Sequence, residues 1–231
     1  MSIGNVWQTV VRRFKRAVMR SFLSDTILRW QLERELRNWE NAGKVGPRPN
    51  LLKQEEVKEY ARAFQLHTLV ETGTYFGAMV SATKDIFSKI VSVELDKDLC
   101  ERARVKFSKY GHISILQGDS GDVLGNLLPG ITEPCLFWLD AHYSEGATAK
   151  GKIETPILQE LHHVLHHPVG GHVILVDDAH CFVGRNDYPT IEQVRELVHK
   201  VRPGWVFEVR DNTIRIHDKR VPGMPSAAPD A

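Results

Sequence analysis

From residue 67 onward, short apolar runs alternate with stretches whose apolar residues recur at helical spacing. The pattern predicts strands over 67–72, 90–95, 113–117, 135–140, 173–177, 206–210 and 213–217. Helices are predicted over 77–87, 97–108, 122–128, 155–166 and 190–201. Strand–helix alternation of this kind gives an α/β, doubly wound, mostly parallel seven-stranded sheet. Only Asp211-Asn212 separates the last two strands, so they form a hairpin and one strand runs antiparallel.

Ahead of this region, Val6, Trp7, Val10, Val11, Phe14, Val18 and Phe22 fall at helical spacing with Arg12, Arg13, Lys15, Arg16 and Arg20 between them. That is a basic amphipathic helix over 6–30, suited to an anionic membrane surface or to packing on its own domain or a second subunit. Helix character resumes over 31–40, and the Gly/Pro-bearing stretch 43–50 is a linker. A further helix over 51–65 leads into the main domain. The expected organisation is therefore a helical extension and linker at 1–50, one domain at 51–220, and a disordered Pro/Ala-rich tail at 221–231.

Composition narrows the class. With 42% hydrophobic and 26% charged residues the chain reads as a soluble globular protein, and a net charge of +1 argues against a nucleic-acid partner. No apolar run is long enough to span a bilayer, no signal peptide is evident, and Cys100, Cys135 and Cys181 form no motif. A cytoplasmic location is expected.

The chemistry is concentrated at strand ends. Leu69-Val-Glu-Thr-Gly-Thr-Tyr-Phe-Gly77 reads as a buried strand and a glycine turn at a helix start, and Val91-Ser-Val-Glu-Leu-Asp96 as a second strand ending in an acid. Glu71 and Glu94 lie 23 residues apart, room for a helix between adjacent parallel strands. Such a layout binds a nucleoside: the turn lets backbone approach a polar ligand, and Glu94 is placed to accept from ribose hydroxyls. Tyr75 stands where a dinucleotide fingerprint has its second glycine, so a ligand without phosphates, such as S-adenosylmethionine (SAM), suits the turn better.

The third strand ends in Gln117-Gly-Asp-Ser120, where Asp119 either accepts from an adenine amino group, with Ser120 alongside, or caps the next helix. The fourth and fifth strands end in Phe137-Trp-Leu-Asp-Ala-His142 and Ile174-Leu-Val-Asp-Asp-Ala-His180. Asp140, Asp177 and Asp178 would repel one another at one sheet edge unless a cation such as Mg²⁺ neutralised them, or they cap loops. His142 and His180, each two residues past an acid of this group, are candidate bases for deprotonating a hydroxyl, or else orient an acid or face solvent.

These residues resemble the class I SAM-dependent methyltransferases, with Glu71, Thr72, Gly73, Thr74 and Gly77 on the first motif and Glu94 on the second strand. The resemblance implies a reversed final strand and an adenine-binding role for Asp119. Asp140 with Asp177-Asp178 resembles the metal site of the metal-dependent O-methyltransferases, in particular the macrocin-type sugar enzymes, across residues 57–217. It implies SAM and Mg²⁺ or a similar divalent ion as cofactors and O-methyl transfer to a hydroxyl of a sugar or other small polar metabolite. The loop over 141–156 is longer than in the small catechol-type enzymes, which leaves the acceptor open.

Two other classes compete. An NAD(P)-dependent oxidoreductase shares the strand–turn–helix, but Tyr75 and the lack of a Tyr-x-x-x-Lys pair count against it. A non-catalytic nucleoside-binding or membrane-associated scaffold has no need of acids at three strand ends. Among the remaining features, the histidines of Glu160-Leu-His-His-Val-Leu-His-His167 lack the order of a zinc helix and are expected at the surface or the helix end. Trp138 is expected in the core, and Arg185, Asp187 and Tyr188 are candidate acceptor contacts by location.

Overall fold

The computed structural model describes residues 22–44, 47–140 and 155–218. The basic segment ahead of residue 22, the tail from 221, and His142 lie outside them. The chain divides into two units between Lys53 and Gln54. In the first, helix α1 (Phe22–Asn41) runs unbroken through the junction at Trp30-Gln31 where two helical stretches were expected. It closes with Gly43 in the left-handed region (φ 75°) and Lys44 N–H donating to the Trp39 carbonyl at 2.9 Å. Helix α2 (Asn50–Ala63) spans the division.

The second unit carries a seven-stranded sheet: β1 (Thr68–Thr72), β2 (Lys89–Glu94), β3 (Ile113–Gln117), β4 (Cys135–Leu139), β5 (Val173–Val176), β6 (Val206–Arg210) and β7 (Thr213–His217). Their order is β3-β2-β1-β4-β5-β7-β6, with β7 alone running opposite to the other six. The helices between them are α3 (Ala78–Thr83), α4 (Lys97–Phe107), α5 (Ser120–Leu127), α6 (Ile157–His166) and α7 (Ile191–Val201). This is the doubly wound sheet with a reversed last strand expected from the sequence.

Side-chain alternation along buried strands makes two cores. Val70, Phe137, Leu139, Ile174 and Val176 pack under Leu124, Leu161, Val164, Leu165, Val194 and Val198. Leu69, Ile90, Leu136, Trp138 and Leu175 face the other way, against Val57, Tyr60, Val80, Cys100 and Phe107. Trp138 is a core residue, as expected.

Helix α3 stops four residues short of its expected end. Ser81 Oγ and Thr83 Oγ1 donate back to the carbonyls of Gly77 and Met79, at 2.7 and 2.8 Å, and the Thr83 carbonyl then closes a turn onto Ile86 and Phe87. Conversely, α5 begins two residues earlier than expected because the Asp119 side chain caps it.

A buried ion pair ties α2 to the sheet. Arg215 of β7 is 1% exposed and pairs with Glu56, whose other oxygen accepts from Thr213 Oγ1 at 3.3 Å. The rings of Tyr60, Phe64 and His217 pack beside it. Removing one partner of such a pair leaves an uncompensated buried charge, at a cost of about 3–5 kcal/mol.

The histidine run lies at the surface and the helix end, as expected. His162 and His166 are exposed and His163 is half-buried, but His167 turns inward and is buried. Cys135 N–H donates to Nδ1 of the buried His172 at 3.0 Å, so the His172 proton sits on Nε2 and is donated to His167 Nδ1 at 2.9 Å. His167 Nε2–H then reaches the Leu128 carbonyl at 2.9 Å. Sequence reading missed this chain because its partners lie in β4, the turn after α5 and the loop before β5.

Burial, with His167 adding, lowers the His172 pKa from 6.5 to about 4. The unfolded chain accepts a proton there that the folded one refuses, so stability falls as pH drops from 6.5 towards 4, by about 3 kcal/mol in all. His172→Gln, which keeps an acceptor and a donor, is expected to flatten that slope. Urea unfolding of both proteins at pH 7 and pH 4.5 measures it, and equal slopes would refute the assignment.

Candidate active site

The turn after β1 is held from two sides. Gly73 takes φ 89°, and the N–H groups of Gly73 and Thr74 both donate to the Val93 carbonyl, at 2.9 and 3.1 Å. Tyr75, left-handed at φ 48°, donates its N–H to Glu94 Oε2 at 2.7 Å, and Asp96 N–H donates to Glu94 Oε1 at 2.9 Å. The side chains of Tyr75 and Phe76 stand exposed, ring centroids 4.1 Å apart. Glu94 is therefore a buried carboxylate that shapes the turn, and each of its oxygens keeps a second lone pair for a ligand.

Register explains the partner of Glu71. It pairs with Ser92 across β1 and β2, so both side chains leave the same face. Ser92 Oγ donates to Glu71 Oε2, and the hydroxyls of Ser92 and Thr74 meet at 2.5 Å. Burial pushes the Glu71 pKa up to about 8, so the side chain is largely neutral at pH 7. It supports the turn from below as a hydrogen-bonded acid.

Gly77 is left-handed, at φ 68°, and a Cβ there would lie 2.7 and 2.9 Å from the Phe107 ring. Glycine at this position thus lets α4 pack against the start of α3. After β3, Asp119 Oδ1 accepts the Gly121 N–H at 3.0 Å, which is the capping role weighed against adenine binding. Ser120 is buried at the first turn of α5.

The next two strands deliver acids to the same edge. Leu139 and Val176 are register partners, and Asp140 N–H donates to the Thr72 carbonyl while Asp177 N–H donates to the Leu139 carbonyl. One carboxylate oxygen from each of Asp140, Asp177 and Asp178 lies within 4.8 Å of the other two. β5 ends at Val176, one residue earlier than expected. Asp178 adopts φ 53°, with its N–H on Asp177 Oδ1 at 2.8 Å, and this turns its side chain towards the other two.

Sequence reading missed Glu160. It lies on the apolar stripe of α6 with Ile157, Leu161 and Val164, where an acid breaks the pattern, and that break was the available signal. It is 1% exposed and bonded by the Ser120 hydroxyl, and burial raises its pKa to about 7. Its Oε1 and the neighbouring Thr72 Oγ1 are both buried, and the Thr72 hydroxyl, like that of Ser120, counters the rise. A void of about 10 Å³, the space of one water, lies among Asp140, Asp177, Thr155, Glu160 and Tyr188. Three hard carboxylate donors at one place fit a hydrated divalent cation.

His180 sits exposed beside this cluster, its Nδ1 3.8 Å from Asp178 Oδ1. Arg185, Asp187 and Tyr188 line a groove of about 800 Å³ with Val183, Leu158 and Lys200. Tyr188 borders both the groove and the small void.

No family model and no curated protein sequence matches the chain. Solved structures do. The O-methyltransferase from Bacillus cereus in complex with S-adenosylhomocysteine (SAH) is 14% identical, with a TM-score of 0.54 over 90% of this chain and 97% of that one. The O-methyltransferase TomG from Streptomyces achromogenes, in complex with SAM and involved in tomaymycin synthesis, is 16% identical, with a TM-score of 0.53 over 94% and 98%. SAH-bound methyltransferase PaMTH1 of Podospora anserina is 19% identical, with a TM-score of 0.52 over 92% and 96%. The fold is that of the class I SAM-dependent O-methyltransferases.

Gly77→Ala is expected to destabilise the protein by about 1–3 kcal/mol, through left-handed strain and overlap with Phe107. Phe107→Leu in the same chain should recover the overlap part. Chemical denaturation of the single and double variants tests this, and a Gly77→Ala protein as stable as wild type would refute it.

Proposed function

We propose that the chain transfers a methyl group from SAM to a hydroxyl of a sugar or other small polar metabolite, with Asp140, Asp177 and Asp178 holding Mg²⁺ or a similar divalent ion. The observation that carries this reading is the meeting of three carboxylates within 4.8 Å at the sheet edge that also presents the Gly73–Gly77 turn and Glu94. The fold, shared with proteins solved with SAM or SAH bound, supports the cofactor part.

Bound SAM supplies an electrophilic methyl on a sulfonium sulfur. A hard divalent ion, when bound, supplies Lewis acidity that eases loss of the acceptor's proton. Glu94 accepts from the ribose hydroxyls with the lone pairs left over from Tyr75 and Asp96. The Thr72–Thr74 backbone and Ser120 border the cofactor, and Asp119 serves the adenine end. His180 takes the acceptor proton at a ring nitrogen, with His142 the alternative from the sequence. As the acceptor oxygen gains the methyl, the carbon–sulfur bond breaks and SAH leaves. Arg185, Asp187 and Tyr188 contact the acceptor along the groove, whose mixture of charged and apolar walls suits a polar metabolite.

Two measurements test the parts separately. Glu94→Ala would release both the Tyr75 and Asp96 N–H groups, whereas Glu94→Gln keeps an acceptor for one of them and is the milder variant. It should weaken SAH binding about tenfold by calorimetry, and unchanged affinity in a folded protein would remove Glu94 from the cofactor site. Asp178→Asn should abolish Mg²⁺-dependent formation of SAH from SAM in the presence of sugar-hydroxyl acceptors while SAH affinity stays within about twofold of wild type. Excess EDTA should mimic it, and full methyl transfer in EDTA would overturn the metal part alone.

A further inference from the structure

The β6–β7 hairpin reaches into the candidate site. Because β7 is antiparallel, the turn joining it to β6 lies at the carboxyl edge of β5, with Val176 and Ile214 as register partners. Asp211 and Asn212 both take left-handed backbone, at φ 51° and 64°, as a two-residue hairpin of this hand requires, and Asn tolerates that conformation well.

Asn212 then makes four hydrogen bonds to the three residues after Asp177. Its backbone carbonyl accepts the Ala179 N–H at 2.9 Å. Its side-chain Oδ1 accepts the His180 backbone N–H at 2.9 Å and lies 2.9 Å from His180 Nδ1. Its Nδ2 donates to Asp178 Oδ1 at 3.0 Å.

These contacts leave no freedom in assigning atoms. A backbone N–H can only donate, so the amide atom facing His180 is the oxygen and the one facing Asp178 is the nitrogen. The ring nitrogen facing that oxygen must then carry the proton. The remaining lone pair of His180 is on Nε2, 3.5 Å from Cys181 Sγ, itself only a weak donor.

We propose that Asn212 is a positioning residue: it locks the turn after β5 so that the Asp178 carboxylate faces Asp140 and Asp177 and the His180 ring is held with its Nδ1 proton on the amide oxygen. The metal half of this statement rests on the proposed divalent-ion site; the His180 half does not. The device differs from a second carboxylate behind the histidine, because the amide holds ring and ligand together without adding charge to an already acidic edge.

The test uses Asn212→Gly, which keeps the left-handed turn and deletes the amide. In ¹⁵N-edited imidazole spectra at pH 8, with His180→Gln identifying the signal, wild-type His180 should show the proton on Nδ1. The glycine variant should lose that single tautomer. Calorimetry with Mn²⁺ alone should show at least tenfold weaker binding in the variant, while SAH affinity stays within about twofold. The same tautomer and the same Mn²⁺ affinity in both proteins would overturn the inference. Absence of Mn²⁺ binding in wild type would overturn the metal reading, and the spectra would still decide the role at His180. Should Asn212→Gly fail to fold, Asn212→Asp keeps the acceptor for His180 but cannot donate to Asp178. It should then retain the Nδ1 proton and lose Mn²⁺ affinity, and full retention of Mn²⁺ binding there would overturn the Asp178 contact.

Discussion

Crowding of carboxyl groups at one edge of the sheet is the constraint to which the rest of this molecule answers. Glu71, Glu94, Asp119, Asp140, Asp177, Asp178 and Glu160 come from β1 to β5 and their following turns and helices. In a poorly solvated edge such groups raise one another's pKa and resist ionisation together. The protein answers each differently. Glu71 and Glu160 are buried and shifted to about 8 and 7, so much of their charge is removed. Glu94 is bonded by two backbone N–H groups, Asp119 by one, and Asp178 by an amide. What remains concentrated is the Asp140–Asp177–Asp178 trio, the point at which a cation would do most.

The parallel sheet creates that crowding and also makes it useful. Strands running the same way place every carboxyl end on one edge, so residues far apart in sequence share a site. The reversed β7 adds what parallel strands cannot, a tight hairpin arriving at the same edge from the far side. Around the acids, the non-glycine residues Tyr75, Asp178 and Asn212 adopt left-handed backbone. Each one directs a hydrogen-bonding group at an acid or at the turn beside it, so the local strain is tied to the arrangement of the site.

The two cores, one on each face, give this edge a rigid base. Val70, Val93, Leu139 and Val176, just below Glu71, Glu94, Asp140 and Asp177, are fully or almost fully buried. The Glu56–Arg215 pair, on the face away from α6 and α7, secures α2 to β7 and so to the hairpin that carries Asn212. A loss there would be felt at the site through the position of β7.

Sequence by itself determined the elements and the acids at their ends. Period and apolar runs are local properties, and parallel strand pairing makes every strand end arrive at one edge, so Glu71, Glu94, Asp119, Asp140, Asp177 and Asp178 were legible as a group. Tertiary structure alone decided what each acid touches. Ser92 meets Glu71 through cross-strand register, Glu160 reaches Ser120 because α6 packs beside α5, and His167 finds His172 across a loop. Asn212, 32 residues beyond His180, meets it only because β7 inserts next to β5. Such contacts depend on register and packing between distant segments, and no spacing along one chain encodes them.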